Sequence, residues 1–277
     1  MAASLIEERV AAARSGAFRA VLPELLGVAA DPQADPDEAW RAAAAAIQIL
    51  AWQDRSAEAA DLAESLIARD GPLGGGLCDQ DVPFVNVFHD AEPGGGPPAV
   101  PRLAEAAARV PEGRQLRKVL ERTADDLRGT PAADLDRRYF AWGDPVRPVD
   151  DQVIGGDLLA SDFSGLTPRQ KRVFWSALHQ TSDFPRARQV HRDTGELPEQ
   201  YDLLLWMAGW YAWEGAVPSG EELLLAAHAR WWPYQAWDTL PTVPAVNPYL
   251  RPVCTDRVRE YYLTRPIGPE AEKATPA

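Results

Sequence analysis

The chain has 277 residues, of which 46% are hydrophobic and 25% charged. That is enough chain and apolar surface for a self-sufficient core, and it excludes a collagen, a coiled-coil rod, a disulfide scaffold and wholesale disorder. The formal charge is −13, from 28 Lys and Arg against 41 Asp and Glu; with no basic run in sight, this argues against nucleic acid and against an anionic membrane as partners. A protein partner with a basic surface suits such a field, because long-range attraction speeds the encounter. Cys78 and Cys254 stand far apart in no metal-ligand spacing, which fits a reducing compartment. Met1 to Arg14 lacks the apolar core of a signal peptide, and no uncharged stretch reaches the length of a membrane span, so the expected location is cytoplasmic.

Phe18, Val21, Leu22, Leu25, Leu26 and Ala29 recur on one helix face, with Pro23 inside the pattern as a kink or as the true helix start. Asp35, Pro36 and Glu38 predict an N-cap, a first-turn proline and a capping-box carboxylate. The helix they open should run to about Gln53, with Trp40, Ala43, Ile47 and Leu50 inward. A second helix follows Asp54-Arg55-Ser56, burying Ala59, Leu62, Ala63, Leu66 and Ile67, and stops at Asp70-Gly71-Pro72. Glu58-Ala59, Ala63 and the Asp70-Gly71 ending place small residues where two helices can approach. On these residues the pair, about 37–72, resembles a tetratricopeptide-type helical hairpin. The resemblance covers this stretch only and implies helical packing and protein binding.

Residues 71–101 hold seven glycines and six prolines. Between Gly74-Gly75-Gly76 and Pro93-Gly94-Gly95-Gly96 lies an apolar stretch with Val82, Phe84, Val85, Val87 and Phe88, the layout of a docked flap or binding loop. Leu103, Ala106, Ala107 and Val110, then Leu116, Val119, Leu120 and Leu127, mark further helical stripes. Residues 129–166 give no clear assignment. Thr167-Pro168-Arg169-Gln170 is a strong helix start, and a short helix is expected over Pro185–Arg192. Glu199–Glu214 is the most apolar helix, expected at the centre of the fold. Ser219-Gly220-Glu221-Glu222 reads as a capping box opening a helix to Trp232. Prolines 233, 241, 244, 248 and 252 predict an extended arm. Thr255 should cap a last helix through Leu263, with a frayed end from Gly268.

The fold class is therefore all-α: a multi-helix bundle or short helical-repeat array with a Gly-hinged flap and a Pro-rich C-terminal arm. The boundaries are 1–70 for the N-terminal hairpins, 71–101 for the flap or linker, and 102–277 for the C-terminal helical region, together forming one compact unit.

No metalloprotease, Walker, Cys-x-x-Cys or nucleophile-elbow motif occurs. His191-Arg192-Asp193 has the letters of a kinase catalytic loop but lacks the downstream Asn and the metal-binding Asp-Phe-Gly. In the flap, Asp79, Asp81, His89 and Asp90 combine carboxylates with an imidazole, a set suited to acid–base or metal chemistry. The default reading is that Asp79 and Asp81 are solvated turn residues and that His89 bonds a backbone group. No cofactor is indicated. Trp206, Trp210 and Trp213 share one helix face and read as core packing. Trp231, Trp232, Tyr234 and Trp237 beside the arm are better placed for an interface, since an amphipathic ring needs one wet end. His179 suits a protonated role at a helix C-terminus, and His228 reads as a surface residue. Asp150, Asp151, Asp157 and Asp162 cluster as loop acids that could face a basic partner.

Two functions follow, beside the reading of a purely structural helical scaffold. The first is an intracellular module that holds a basic protein, in one version an inhibitor of immunity type. The alternative is an enzyme with its pocket between the helical core and the 77–93 flap.

Overall fold

The computed structural model describes residues 5–55, 57–59, 61–62, 108, 121, 158–233, 235–247 and 250–274. They are all-α, with no strand among them. The expected boundaries at 70 and 101, the flap, and the stripes from Leu103 to Leu127 lie outside the described residues, apart from two single positions. The chain divides into two compact units. One takes the described residues of 1–135, 232–248 and 259–277, the other those of 136–231 and 249–258.

The first unit opens with α1 (Leu5–Ala12), a π-helical turn (Ala13–Ala17) and α2 (Phe18–Ala30). Pro23 does not mark the start of α2. The break falls earlier, at Gly16, whose φ of 103° suits glycine and where a Cβ would stand 2.8 Å from the Thr264 carbonyl oxygen. Phe18, Val21, Leu22, Leu25 and Ala29 are buried as the periodicity predicts. Asp35 caps α3 (Pro36–Trp52), accepting from the Asp37 and Glu38 amides, with Pro36 in the first turn. α3 packs against α2. Its burial exceeds a single stripe: every residue from Ala42 to Trp52 is buried. Alanines make this possible, because small side chains let neighbours approach from all sides. Ala59 in the following helical stretch is buried too.

Later segments complete the packing around α3. The Gln48 side-chain carbonyl accepts the Thr239 amide at 2.5 Å and the Leu240 amide at 3.2 Å, while its NH2 donates to Asp238 at 2.9 Å. The Trp52 indole donates to the Pro241 carbonyl at 2.6 Å and stacks on Tyr262 at 4.0 Å. A short turn, α8 (Val243–Val246), follows. Beyond it, Arg259 donates to the Ala51 and Trp52 carbonyls at the end of α3, where the Ala51 carbonyl also accepts the Asp54 amide at 3.2 Å. The terminus is not frayed from Gly268: α10 (Pro269–Ala274) forms, and Glu270 lies 3.5 Å from buried Arg14.

The described part of the second unit includes a 3-10 turn (Phe163–Gly165) and α4 (Pro168–Gln180). Thr167 and Gln170 form the reciprocal capping box expected of them. α5 (Phe184–Thr194) is longer than the sequence suggests and ends on Gly195 in the left-handed region. α6 (Tyr201–Trp213) is the central helix, buried from Leu203 to Gly209. It packs closely on α7 (Val217–His228). α7 starts at Val217, two residues before Ser219, so the expected capping box does not form. Pro218 in the first turn sets the start instead. α9 (Asp256–Thr264) crosses into the first unit after Val258. The Thr255 hydroxyl is donated to Glu221.

Candidate interaction surface

The sequence-predicted flap residues Asp79, Asp81, His89 and Asp90 lie outside the described residues, as do Asp150, Asp151, Asp157 and Tyr234. Among the described residues no group of three His, Cys, Asp or Glu is placed to hold a metal ion. No described helix is long and apolar enough to cross a membrane. The letters His191-Arg192-Asp193 fall in the last turn of α5, not in a loop.

The described tryptophans divide sharply. Trp206 is buried, its ring edge-on to Phe184 at 6.1 Å and to His179 at 5.2 Å. Trp210 stacks on Phe184 at 5.3 Å with planes 10° apart, and Trp213 stacks on Trp210 at 5.4 Å with planes 13° apart. Trp213 is 65% exposed, so the expectation of a wholly core stripe fails at its outer end. The physical reason is position: Trp213 is the last residue of α6, where the helix leaves the core for Glu214-Gly215. Three near-parallel rings therefore run from a buried phenyl to an open indole. Phe184 and Tyr211, which meet edge-on at 5.4 Å, belong to this construction and were not singled out from sequence.

In the first unit Trp232 is 55% exposed. Trp237 is half-buried, edge-on to Trp40 at 5.6 Å, with the Arg41 guanidinium 5.2 Å from its ring centre. In the second unit Trp231 is half-buried. Of the predicted partner-binding aromatics that are described, Trp232 offers the most open ring.

The histidines depart from expectation. His228 is 4% exposed, and burial pushes its imidazole down to about 4. It lies beside Leu224 on the inner face of α7, at a spacing of four. Burial also lowers His179, whose Nδ1 meets no hydrogen-bond partner among the described residues. A neutral ring packed on Trp206 replaces the charged cap. His191 is lowered by burial against the opposing pull of Glu222, and its Nδ1 lies 3.3 Å from the Tyr211 hydroxyl.

Many of the described cations are matched by carboxylates of the same chain. Eleven ion pairs join described Arg or Lys side chains to carboxylates, Arg9–Glu24, Arg19–Glu260, Lys171–Glu196 and Arg188–Glu214 among them. Arg186 and Arg265 lie over the rings of Phe174 and Tyr261. No family model matches this chain, and no curated protein or solved structure shows significant similarity to it.

Proposed function

We propose that this chain is an acidic protein-binding module whose partner presents a basic surface. Charge carries the reading. Even if all 28 Lys and Arg were paired, 13 of the 41 carboxylates would remain to face outward. The observed ion pairs follow that pattern, since they engage basic side chains that would otherwise oppose a cationic partner. Excess surface charge of one sign steers an oppositely charged protein and raises its association rate. The open rings of Trp213 and Trp232 supply what charge alone does not, apolar anchors of the type that dominate interface energies. An inhibitor of immunity type, masking the basic active site of its target in the cytoplasm, is the form that this complementarity fits.

The test is a native mass spectrum of the protein isolated gently at low salt from its own cells. The reading expects a second, basic polypeptide in stoichiometric amount. A bare monomer, or a bound metal or small molecule instead of a polypeptide, would count against it.

A further inference from the structure

We propose that the outer face of Trp213 seats a cationic side chain of the partner, an arginine guanidinium laid flat on the indole. The inference rests on the basic-partner reading and names its anchor point. Four features converge on it.

The first is the ring itself. Trp213 is 65% exposed, while Trp210 and then Phe184 stack behind it. The ladder holds the indole in place before any partner arrives, so little side-chain freedom remains to be lost on binding. The open face of tryptophan carries the negative lobe of the ring quadrupole and attracts a cation better than other aromatic rings do.

The second is the helix. Trp213 closes α6, a helix of 13 residues with no basic side chain in its last turn. The helix dipole gives this end a negative partial charge that favours a cation, although the Trp210, Tyr211 and Ala212 carbonyls already accept the Glu214, Ala216 and Gly215 amides.

The third is Glu214, the next residue. Arg188 engages its Oε2 at 2.5 Å, while Oε1 carries no contact among the described residues. A carboxylate has acceptor sites for a second guanidinium. Arg188 and Glu214 balance each other in charge, so Glu214 offers the incoming guanidinium a hydrogen-bond acceptor rather than net charge.

The fourth is the net charge of −13, which makes a second copy of this chain a repelled occupant. Guanidinium is favoured over ammonium because it is planar, more weakly hydrated and stacks on aromatic faces.

The probe is a hexa-arginine peptide, with hexa-citrulline as its uncharged isostere. Both are titrated at low salt into the full chain and into Trp213→Leu and Trp213→Phe. Leucine keeps Trp210 covered but removes the quadrupole, and phenylalanine restores part of it. Matching melting curves show that the variants fold, as an exposed position should allow. The Trp213 indole N–H resonance, identified by its loss in Trp213→Phe, reports the site directly.

The expected result has three parts. Hexa-arginine shifts that resonance and hexa-citrulline does not. Trp213→Leu binds hexa-arginine about fivefold more weakly. Trp213→Phe falls between. If hexa-arginine binds the parent and Trp213→Leu equally, without moving the resonance, the anchor is wrong while the acidic-surface reading survives. If the parent binds neither peptide, or both alike, the anchor and the reading fall together.

Discussion

Gln48 shows how one side chain can hold distant sequence together. It is 6% exposed, and its single carbonyl oxygen receives the amides of both Thr239 and Leu240. The Thr239 hydroxyl lies 2.9 Å from the same oxygen. Replacing Gln48 with Leu would keep the bulk and strand these buried donors. Each unsatisfied group costs about 1–3 kcal/mol, so Gln48→Leu should destabilise the protein by about 3 kcal/mol in denaturant unfolding. A smaller loss, under about 1 kcal/mol, would show that water reaches the site.

His228 makes a second residue-scale prediction. Its folded value of about 4 lies below the ordinary 6.5, because burial disfavours the charged ring. The unfolded chain therefore takes up the proton first as pH falls. The stability tied to the neutral ring is present above pH 6.5 and is lost progressively toward pH 4. The loss should reach about 2 kcal/mol between pH 7 and pH 5, a window in which most carboxylates stay ionised. His228→Gln should flatten the slope of unfolding free energy over that window. An unchanged slope would mean that His228 does not control it.

At the scale of elements, α7 and the segment that carries Val253 owe their close approach to Gly220. A Cβ there would stand 2.3 Å from Val253 Cγ1, 2.9 Å from Val253 Cβ and 3.4 Å from the Ala208 carbonyl oxygen. Val253 is wholly buried, so it has little room to retreat. Gly220→Ala should cost about 1–3 kcal/mol by overpacking. Val253→Ala in the same chain should restore part of that loss despite being destabilising by itself, and a double-mutant cycle measures the coupling. Strictly additive losses would place the strain elsewhere.

Much of the helical layout is legible because its signals are local. Asp35-Pro36 and Thr167-Pro168-x-Gln170 satisfy orphan amides through neighbours in sequence, so the caps form wherever the helices dock. The uncharged run of α6 shows through in the same way, since a helix buried nearly all round needs no stripe. The start of α7 is misread because two local signals compete: Ser219 with Glu222 against Val217-Pro218, and the proline wins. The burial of His228 was available in its spacing of four from Leu224, but a polar letter hid it. Position within the fold was not available. Nothing in a tryptophan repeat says that Trp206 is core while Trp213 is open, because that depends on where α6 leaves its neighbours. Phe184 is separated from Trp210 along the chain, so their stack exists only in three dimensions.

At the scale of the whole molecule the governing quantity is the excess of carboxylates. Thirteen cannot be matched internally, and those that are matched remove cations from competition. Surface ion pairs add little stability singly, so their consequence here is electrostatic: they leave a field of one sign. Association driven by that field must weaken as ions screen it, whereas association through apolar anchors alone would not.

The most direct measurement isolates the protein from its own cells in parallel at low and high ionic strength and compares the native mass spectra. The account predicts a stoichiometric basic polypeptide bound at low salt, with occupancy falling steeply at high salt. A chain that emerges alone at low salt would contradict it, and so would a partner retained equally in both.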